Sequence, residues 1–287
     1  MNIQSAGIIC KPIRDVVQRV VPQLIKWLQA RNVRVFIDQE TQACIDPSVP
    51  ALARDDLGDK INLLIVLGGD GTLLSGARAL RGRRVPILAA NLGGLGFLTS
   101  VTLEELYPLL EQVLHGAFHS SERMLLDVEI YRDGHPEESE SALNDAVANK
   151  ATRARMLDFD VFIDGNNVGR YRADGIIVST PTGSTAYSLA AGGPIIYPDL
   201  DCFLITPICP HMLTNRPLLI SGSAKIEIDF APADEPVYLT LDGQVGYQLE
   251  PKDRVTITKS TNRVLLIRPP QKTYFEILRS KLRWGER

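Results

Sequence analysis

The sequence is short of the features that mark several large classes of protein. It has four cysteines, Cys10, Cys44, Cys202 and Cys209, in 287 residues, and no two of them form a CxxC pair. The spacing excludes a disulfide framework and fits a reducing, cytoplasmic compartment. Its four histidines, His115, His119, His135 and His211, show no HExxH or other zinc-ligand spacing. No apolar run is long enough to span a bilayer, and residues 1–11 lack the charged start and long apolar centre of a secretory signal. Positive charge is not in excess. With 31 Lys and Arg against 34 Asp and Glu the net charge is −3, whereas a general nucleic-acid binder carries a basic surplus. A phosphate-bearing ligand would therefore have to be held by local donors. Two nucleotide motifs are missing as well. No GxxxxGK[ST] loop occurs, and Gly94-Leu95-Gly96 lacks the third glycine of a GxGxxG fingerprint.

What is present is a clustering of glycine. The total of 22 is ordinary, but eight fall within residues 68–96 and four within 175–193. An even spread would put about four in those two stretches together. Glycine is used where backbone turns tightly or approaches a ligand closely, so two local sites stand out.

The first third of the chain alternates between strand and helix patterns. Residues 8–10 form a short apolar strand. Val16, Val17, Val20, Val21, Leu24, Ile25 and Leu28 then repeat at helical spacing. Pro22 lies inside that stripe, so a kink or a broken helix is expected there. Strands follow at residues 33–37, 61–67 and 85–90, and helices at 72–80 and 103–114. Such alternation implies a mostly parallel sheet with helices on its faces. After about residue 120 the period becomes two, as in Leu126, Val128 and Ile130 or Ile226, Ile228 and Phe230. Turn signals such as Asp133-Gly134, Asp164-Gly165, Ser221-Gly222 and Asp242-Gly243 separate the runs, which marks an antiparallel, β-rich second domain. Helical spacing returns over residues 274–282. The expected division is 1–120 for the α/β domain, 121–270 for the β-rich domain and 271–287 for a terminal helix.

Two segments suit chemistry. In Gly68-Gly69-Asp70-Gly71-Thr72 a buried strand ends in glycines and a helix begins, the crevice where open α/β sheets bind ligands. The helix start offers N–H groups and a positive dipole end to phosphate. Asp70 there is either the N-cap of an ordinary tight turn or a carboxylate with a task, such as holding Mg²⁺ or taking a proton. Residues 91–97, after the next buried strand, would form a second wall of that crevice. The other segment, residues 174–194, runs from a strand into a loop with Ser179, Thr180, Thr182, Ser184, Thr185 and Ser188 and the aromatic Tyr187. A helix cap uses one or two hydroxyls. The surplus points to a ligand with ribose hydroxyls, an aromatic base and amide groups. The run Arg78, Arg81, Arg83 and Arg84 reads better as a solvated helix end than as a receiver of ATP phosphates. Arg172 and Asp174 share one face of a strand, where a surface ion pair is the plainer reading. Asn144-Asp145 is either a turn or a ligand contact. Asp242-Gly243-Gln244 is most simply a hairpin turn.

Taken together, these motifs resemble the NAD kinase family, especially its bacterial members. Residues 68–72 look like its GGDG motif, residues 91–98 like its Asn-x-Gly-x-Leu-Gly-Phe-Leu segment, and residues 174–194 like its most specific signature. GGDG alone is shared with phosphofructokinases and diacylglycerol-type lipid kinases. A lipid kinase would need an interfacial anchor, and a sugar kinase of that kind would need a paired-aspartate pattern; neither is found. A non-catalytic NAD sensor on the same fold would bind without consuming ATP.

The resemblance implies an α/β N-terminal domain with a mostly parallel sheet, a β-sandwich-like C-terminal domain and a terminal helix packing back on the first. It implies ATP as co-substrate with Mg²⁺ or another divalent cation, and a homodimer or homotetramer with no nucleic-acid or membrane partner. It implies a phosphate loop at Gly68, Gly69, Gly71 and Thr72, with Asp70 as the base for the adenosine ribose 2′-hydroxyl. Gly71 would contact NAD, Asn144 and Asp145 would hold ribose hydroxyls, and Asp174 would address the nicotinamide side. Thr185, Ala186, Tyr187, Ser188, Leu189 and Ala190 would address the adenine side, and Arg155, Arg172 and Gln244 would also touch the dinucleotide. Asp145 is one methylene shorter than the family's usual Glu. The two glycine-rich segments then read as two halves of one active site around Asp70.

Overall fold

The computed structural model describes residues 3–45, 49–150, 156–232, 236–270 and 272–285. They form two compact units: residues up to Glu122 together with those from Val264 onward, and Arg123–Arg263.

The first unit is built on parallel strands. In chain order it contains β1 (Ser5–Cys10), α1 (Arg14–Gln29), β2 (Arg34–Asp38), α2 (Gln39–Gln42), β3 (Ala51–Leu52), α3 (Arg54–Leu57), β4 (Leu63–Leu67), α4 (Asp70–Ala79), β5 (Pro86–Ala90) and α5 (Leu103–Leu114). The strands lie in the order β5-β4-β1-β2-β3, each pair parallel. β4 and β5 are buried along their whole length, which is why their sequences are unbroken apolar runs. The α1 stripe Val17, Val20, Val21, Leu24, Ile25 and Leu28 packs into the same core as Leu106, Leu109, Leu110 and Val113 of α5.

Of the kink or break expected at Pro22, the break does not occur: α1 is one helix of 16 residues with the proline inside it. The missing N–H and the ring clash cost about 3 kcal/mol. Each buried aliphatic side chain returns about 1.5–3 kcal/mol, so the stripe outweighs the proline. α5 starts with a capping box in which Thr102 and Glu105 satisfy each other's backbone N–H groups.

The second unit is a β-sandwich. It contains β6 (His119–Arg132, entering from the first unit), β7 (His135–Ala142), β8 (Asp145–Lys150), β9 (Leu157–Ile163), β10 (Asn166–Ala173) and β11 (Gly175–Ser179). A short α6 (Tyr187–Ala190) precedes β12 (Cys202–Ile208), β13 (Leu218–Ser221), β14 (Ile226–Phe230), β15 (Val237–Leu241), β16 (Val245–Leu249) and β17 (Arg254–Arg268). One antiparallel sheet runs β13-β12-β11-β8-β15-β16, and the other contains β10-β9-β14 and the start of β17. Alternate residues of both sheets, such as Ile176 and Val178, Phe159 and Val161, and Ile226 and Ile228, share one core. At the Asp133-Gly134 and Asp164-Gly165 hairpins both turn residues have positive φ, as a two-residue turn of the favoured hand requires.

The chain returns to the first unit at Val264, inside β17, rather than at residue 271. Leu265 and Leu266 pair in parallel with Pro86 and Ile87 of β5. α7 (Tyr274–Leu282) follows, with Tyr274, Ile277 and Leu278 buried. Lys272 Nζ ties its entry to Ser100 O at 2.9 Å and to Glu105 Oε2 at 2.6 Å. Among the described residues no helix is long and apolar enough to cross a membrane.

Candidate functional site

In the first unit, β4 ends at Leu67 and α4 begins three residues later. Gly68 is buried against Thr72, and a Cβ there would collide with the Thr72 side chain. Gly69, not Asp70, is the helix N-cap; Asp70 is the first helical residue. Its carboxylate turns away from its own helix and takes hydrogen bonds from the segment after β5. Phe97 N donates to Oδ2 at 2.9 Å, while Leu98 N, Thr99 N and Thr99 Oγ1 donate to Oδ1 at 3.1, 3.0 and 2.9 Å. Residues 96–99 therefore grip the carboxylate, where the sequence suggested only a second wall. Gly96 is glycine because a Cβ would collide with Asp70 Oδ1. The phosphate-loop candidates Gly69 and Thr72 are half-buried and Gly71 is exposed.

The basic run is largely occupied. Arg81 pairs with Asp55, Arg83 makes two 2.6 Å bonds to Asp59, and Arg84 reaches Glu122 at 2.6 Å. That is the solvated helix end.

In the second unit a cavity of about 350 Å³ opens beside the start of β8. Of the residues singled out by sequence, Asn144, Asp145, Ala186 and Tyr187 line it, and Tyr187 is exposed. Val147, Asn149, Thr240, Asp242 and Gly243 complete the lining.

Asp242 is more than a hairpin residue. Its Oδ1 accepts from Asn144 N at 2.7 Å and Asp145 N at 3.3 Å, and its Oδ2 from Leu143 N at 3.1 Å. It fixes the backbone of the pair that lines the cavity. Its long-range partners gave no sequence signal, and the Asp-Gly turn hid it. Asp145 is buried in front of it. Burial first, then the Asp242 charge, pushes the Asp145 carboxyl up to about 7. Among the described residues Asn144 Oδ1 is buried with no hydrogen-bond partner.

The hydroxyl-rich loop serves mainly to shape this pocket. Thr180 Oγ1 donates to Leu143 O at 2.6 Å and accepts from Gly183 N at 3.1 Å. Ser184 Oγ donates to Pro181 O at 2.7 Å and accepts from Ile196 N at 2.9 Å. Ser188 Oγ is buried on Thr206 Oγ1 at 2.9 Å. The hydroxyls of Thr180, Ser184 and Ser188 are thus spent inside the protein, because a loop buried on the sheet must satisfy its backbone, whereas Ser179 Oγ is buried with no hydrogen-bond partner among the described residues. Thr185 is partly exposed, with its hydroxyl on Thr182 O. Thr185, Ser188, Leu189, Ala190 and Gln244 do not line the cavity.

The ion pair expected between Arg172 and Asp174 is replaced. Asp174 Oδ1 takes a 2.6 Å bond from Lys150 Nζ, because Gly175 of β11 sits opposite Asn149 of β8 and brings the end of β8 beside the start of β11. Neither Arg172, which is exposed on β10, nor Asp174 lines the cavity. Arg155 lies outside the described residues.

Comparison with known proteins fixes the class first. The chain has the fold of nucleotide-dependent kinases. It matches a yeast NADH kinase complexed with NADH at a TM-score of 0.89 and 28% identity, covering 100% of this chain and 89% of that one. An NAD kinase from Archaeoglobus fulgidus in complex with ATP matches at a TM-score of 0.75 and 26% identity, covering 96% and 99%.

Sequence then gives the family. The ATP-NAD kinase N-terminal domain model matches residues 6–118 and the ATP-NAD kinase C-terminal domain model residues 143–269. The NAD kinase of Solibacter usitatus is 48% identical over 285 residues, 99% of each chain, and that of Geotalea daltonii is 48% identical over 268 residues, 93% of this chain and 94% of its own. The chain belongs to the NAD kinase family.

Proposed function

We propose that the protein is an ATP-dependent NAD kinase that transfers the γ-phosphoryl of ATP to the 2′-hydroxyl of the adenosine ribose of NAD. The observation that carries the reading is the Asp70 carboxylate, gripped by backbone at the start of α4 with one oxygen, Oδ2, bearing a single donor. The ribose oxygen forms its bond to the γ-phosphorus as the bond to the β–γ bridging oxygen breaks. The hydroxyl proton passes to Asp70, and ADP carries away the leaving oxygen. Gly68, Gly69, Gly71 and Thr72 would form the phosphate loop, where glycine lets phosphate approach the main chain and the start of α4 presents its dipole; Gly68 N and Thr72 N are themselves bonded to Ala90 O at 2.9 Å and Gly69 O at 3.0 Å.

The cavity of the second unit takes one half of the dinucleotide, its volume being at the low end for a small-molecule site. Asn144 and Asp145 receive ribose hydroxyls. The buried, unpartnered Asn144 Oδ1 supports that role, since an unsatisfied buried acceptor costs about 1–3 kcal/mol. Tyr187 and Ala186 offer an aromatic and apolar wall, with Thr185, Ser188, Leu189 and Ala190 contributing through backbone on the adenine side. Asp174 addresses the nicotinamide side, and Gly71, Arg155, Arg172 and Gln244 make further contacts.

Among the described residues no group of three or more His, Cys, Asp or Glu converges to cage a metal. Mg²⁺ or a like cation would arrive on ATP, keep water and phosphate oxygens as ligands and supply charge neutralisation. The reading carries a cytoplasmic location and a homodimer or homotetramer, which light scattering on the eluting protein measures. The decisive assay incubates the protein with ATP, Mg²⁺ and NAD and follows NADP, with NADH and diacylglycerol as rival acceptors. Absence of product from NAD refutes the proposal.

A further inference from the structure

The two oxygens of Asp70 are not equivalent. An ionised carboxylate offers about four acceptor positions, two on each oxygen. Oδ1 already accepts from Leu98 N, Thr99 N and Thr99 Oγ1, whereas Oδ2 accepts from Phe97 N alone. Oδ2 is the oxygen with a lone pair to spare.

The third donor on Oδ1 is a hydroxyl, and its direction is set from behind. Asn91 Nδ2 donates to Thr99 Oγ1 at 2.8 Å. The Asn91 amide has a fixed orientation, since Gly93 N donates to its Oδ1 at 2.7 Å. Thr99 Oγ1 therefore accepts from Asn91, and its single proton goes to Asp70 Oδ1 at 2.9 Å. Thr99 is fully buried, and a Cβ on Gly96 would collide with both Asp70 Oδ1 and Thr99 Oγ1, so the segment closes on the carboxylate with no room to spare. The backbone donors alone would hold residues 97–99 in place; the directed chain from Asn91 through Thr99 fixes something further, the rotation of the carboxylate.

We propose that Thr99, oriented by Asn91, is a positioning residue for phosphoryl transfer: it pins Asp70 Oδ1 so that Oδ2 is the atom that takes the ribose hydroxyl proton. The inference rests on the kinase reading above and adds to it which oxygen acts and what aims it. Geometry of this kind matters because a misplacement of about 1 Å in a reacting group costs on the order of 100-fold in rate.

The test is a double-mutant cycle in steady-state kinetics with NAD and ATP on the full chain. Thr99→Val keeps the shape and the backbone donors and removes only the hydroxyl. Its kcat falls about 10- to 100-fold, with KM for NAD and for ATP held within about twofold. Thr99→Ser restores kcat to within a few-fold of wild type, and Asn91→Leu gives a smaller loss than Thr99→Val. In an Asp70→Asn background Thr99→Val costs nothing further, because its effect passes through Asp70. A purely structural role instead lowers soluble yield and melting temperature and multiplies with Asp70→Asn. Wild-type kcat in Thr99→Val, no rescue by serine, or a fully additive cycle overturns the inference while the kinase reading stands. If Thr99→Val fails to fold, Asn91→Leu carries the cycle against Asp70→Asn, and its kcat loss should vanish in that background; a wild-type kcat in Asn91→Leu or a fully additive cycle then overturns the inference. A wild-type chain that makes no NADP removes both.

Discussion

Asp145 carries a cost that pH exposes. The carboxyl has an ordinary value of 3.8 and is raised to about 7 in the folded chain, by burial first and by Asp242 second. Below the ordinary value the group is protonated folded or unfolded, and no cost arises. As pH rises from there the unfolded chain ionises first, so folding loses about 1.4 kcal/mol for each pH unit. Above about 7 both states are ionised and the full penalty is present, roughly 4 kcal/mol. Asp145→Asn removes the ionisation and keeps the shape. At about pH 5 the variant should exceed wild type by roughly 1–2 kcal/mol, and at about pH 8.5 by roughly 4 kcal/mol, so the gap widens by about 2–3 kcal/mol. Urea unfolding at the two pH values, followed by a probe in the second unit, reads the difference between the proteins, which cancels the titrating groups that do not interact with Asp145. A stability difference that does not change with pH refutes the assignment. The same variant should lose activity, since a strained carboxyl kept beside a cavity is retained for what it binds.

Asp70→Asn should keep NAD affinity, read by calorimetry, and lower kcat by orders of magnitude; turnover near the wild-type rate would show that Asp70 is not the base. Asp242→Asn leaves one of the Leu143, Asn144 and Asp145 N–H groups without an acceptor. A lost bond to a charged acceptor costs about 1.5–3 kcal/mol, so KM for NAD should rise on the order of tenfold while KM for ATP stays put, and an unchanged KM for NAD removes Asp242 from the site. Gly183→Ala would drive its Cβ into the Asn144 backbone, 2.7 Å from Cα. Overpacking of that kind costs about 1–3 kcal/mol, visible as a lower melting temperature, and an unaltered melting curve contradicts the close approach.

The regular elements were legible because periodicity is a local property. The pattern over residues 103–114 and 274–282 returned helices with those bounds, and the apolar runs became β4 and β5. The crossing back into the first unit was not legible. β17 is one strand of 15 residues, and neither Arg263 nor Val264 carries a turn signal where the partner changes. The hydroxyls of residues 179–188 were visible but their use was not. A hydroxyl that satisfies buried backbone and one that meets a ligand have the same composition, and only the burial of Ser184 and Ser188 separates them.

The same physical reason explains what sequence misjudged at both sites. Each is held by one aspartate that accepts from three consecutive backbone N–H groups far away in the chain. Asp70 takes those of residues 97–99, 27 to 29 positions on. Asp242 takes those of residues 143–145, 97 to 99 positions back. Bonds from N–H groups to a charged acceptor are worth about 1.5–3 kcal/mol each, and three from successive residues fix a stretch of main chain as a rigid body. Locally, each aspartate sits beside a glycine, Asp70 at the start of α4 and Asp242 in a hairpin turn, and its distant partners leave no mark in the spacing. The donors of such a device are backbone N–H groups, which nearly every residue carries alike, so no side-chain motif announces the partner segment. Glycine at Gly96 and Gly183 is the residual trace: at each, a Cβ would strike the Asp70 carboxylate or the Asn144 carbonyl. The glycines that first drew attention therefore mark where carboxylate and backbone close on each other, and only at one remove where a ligand binds.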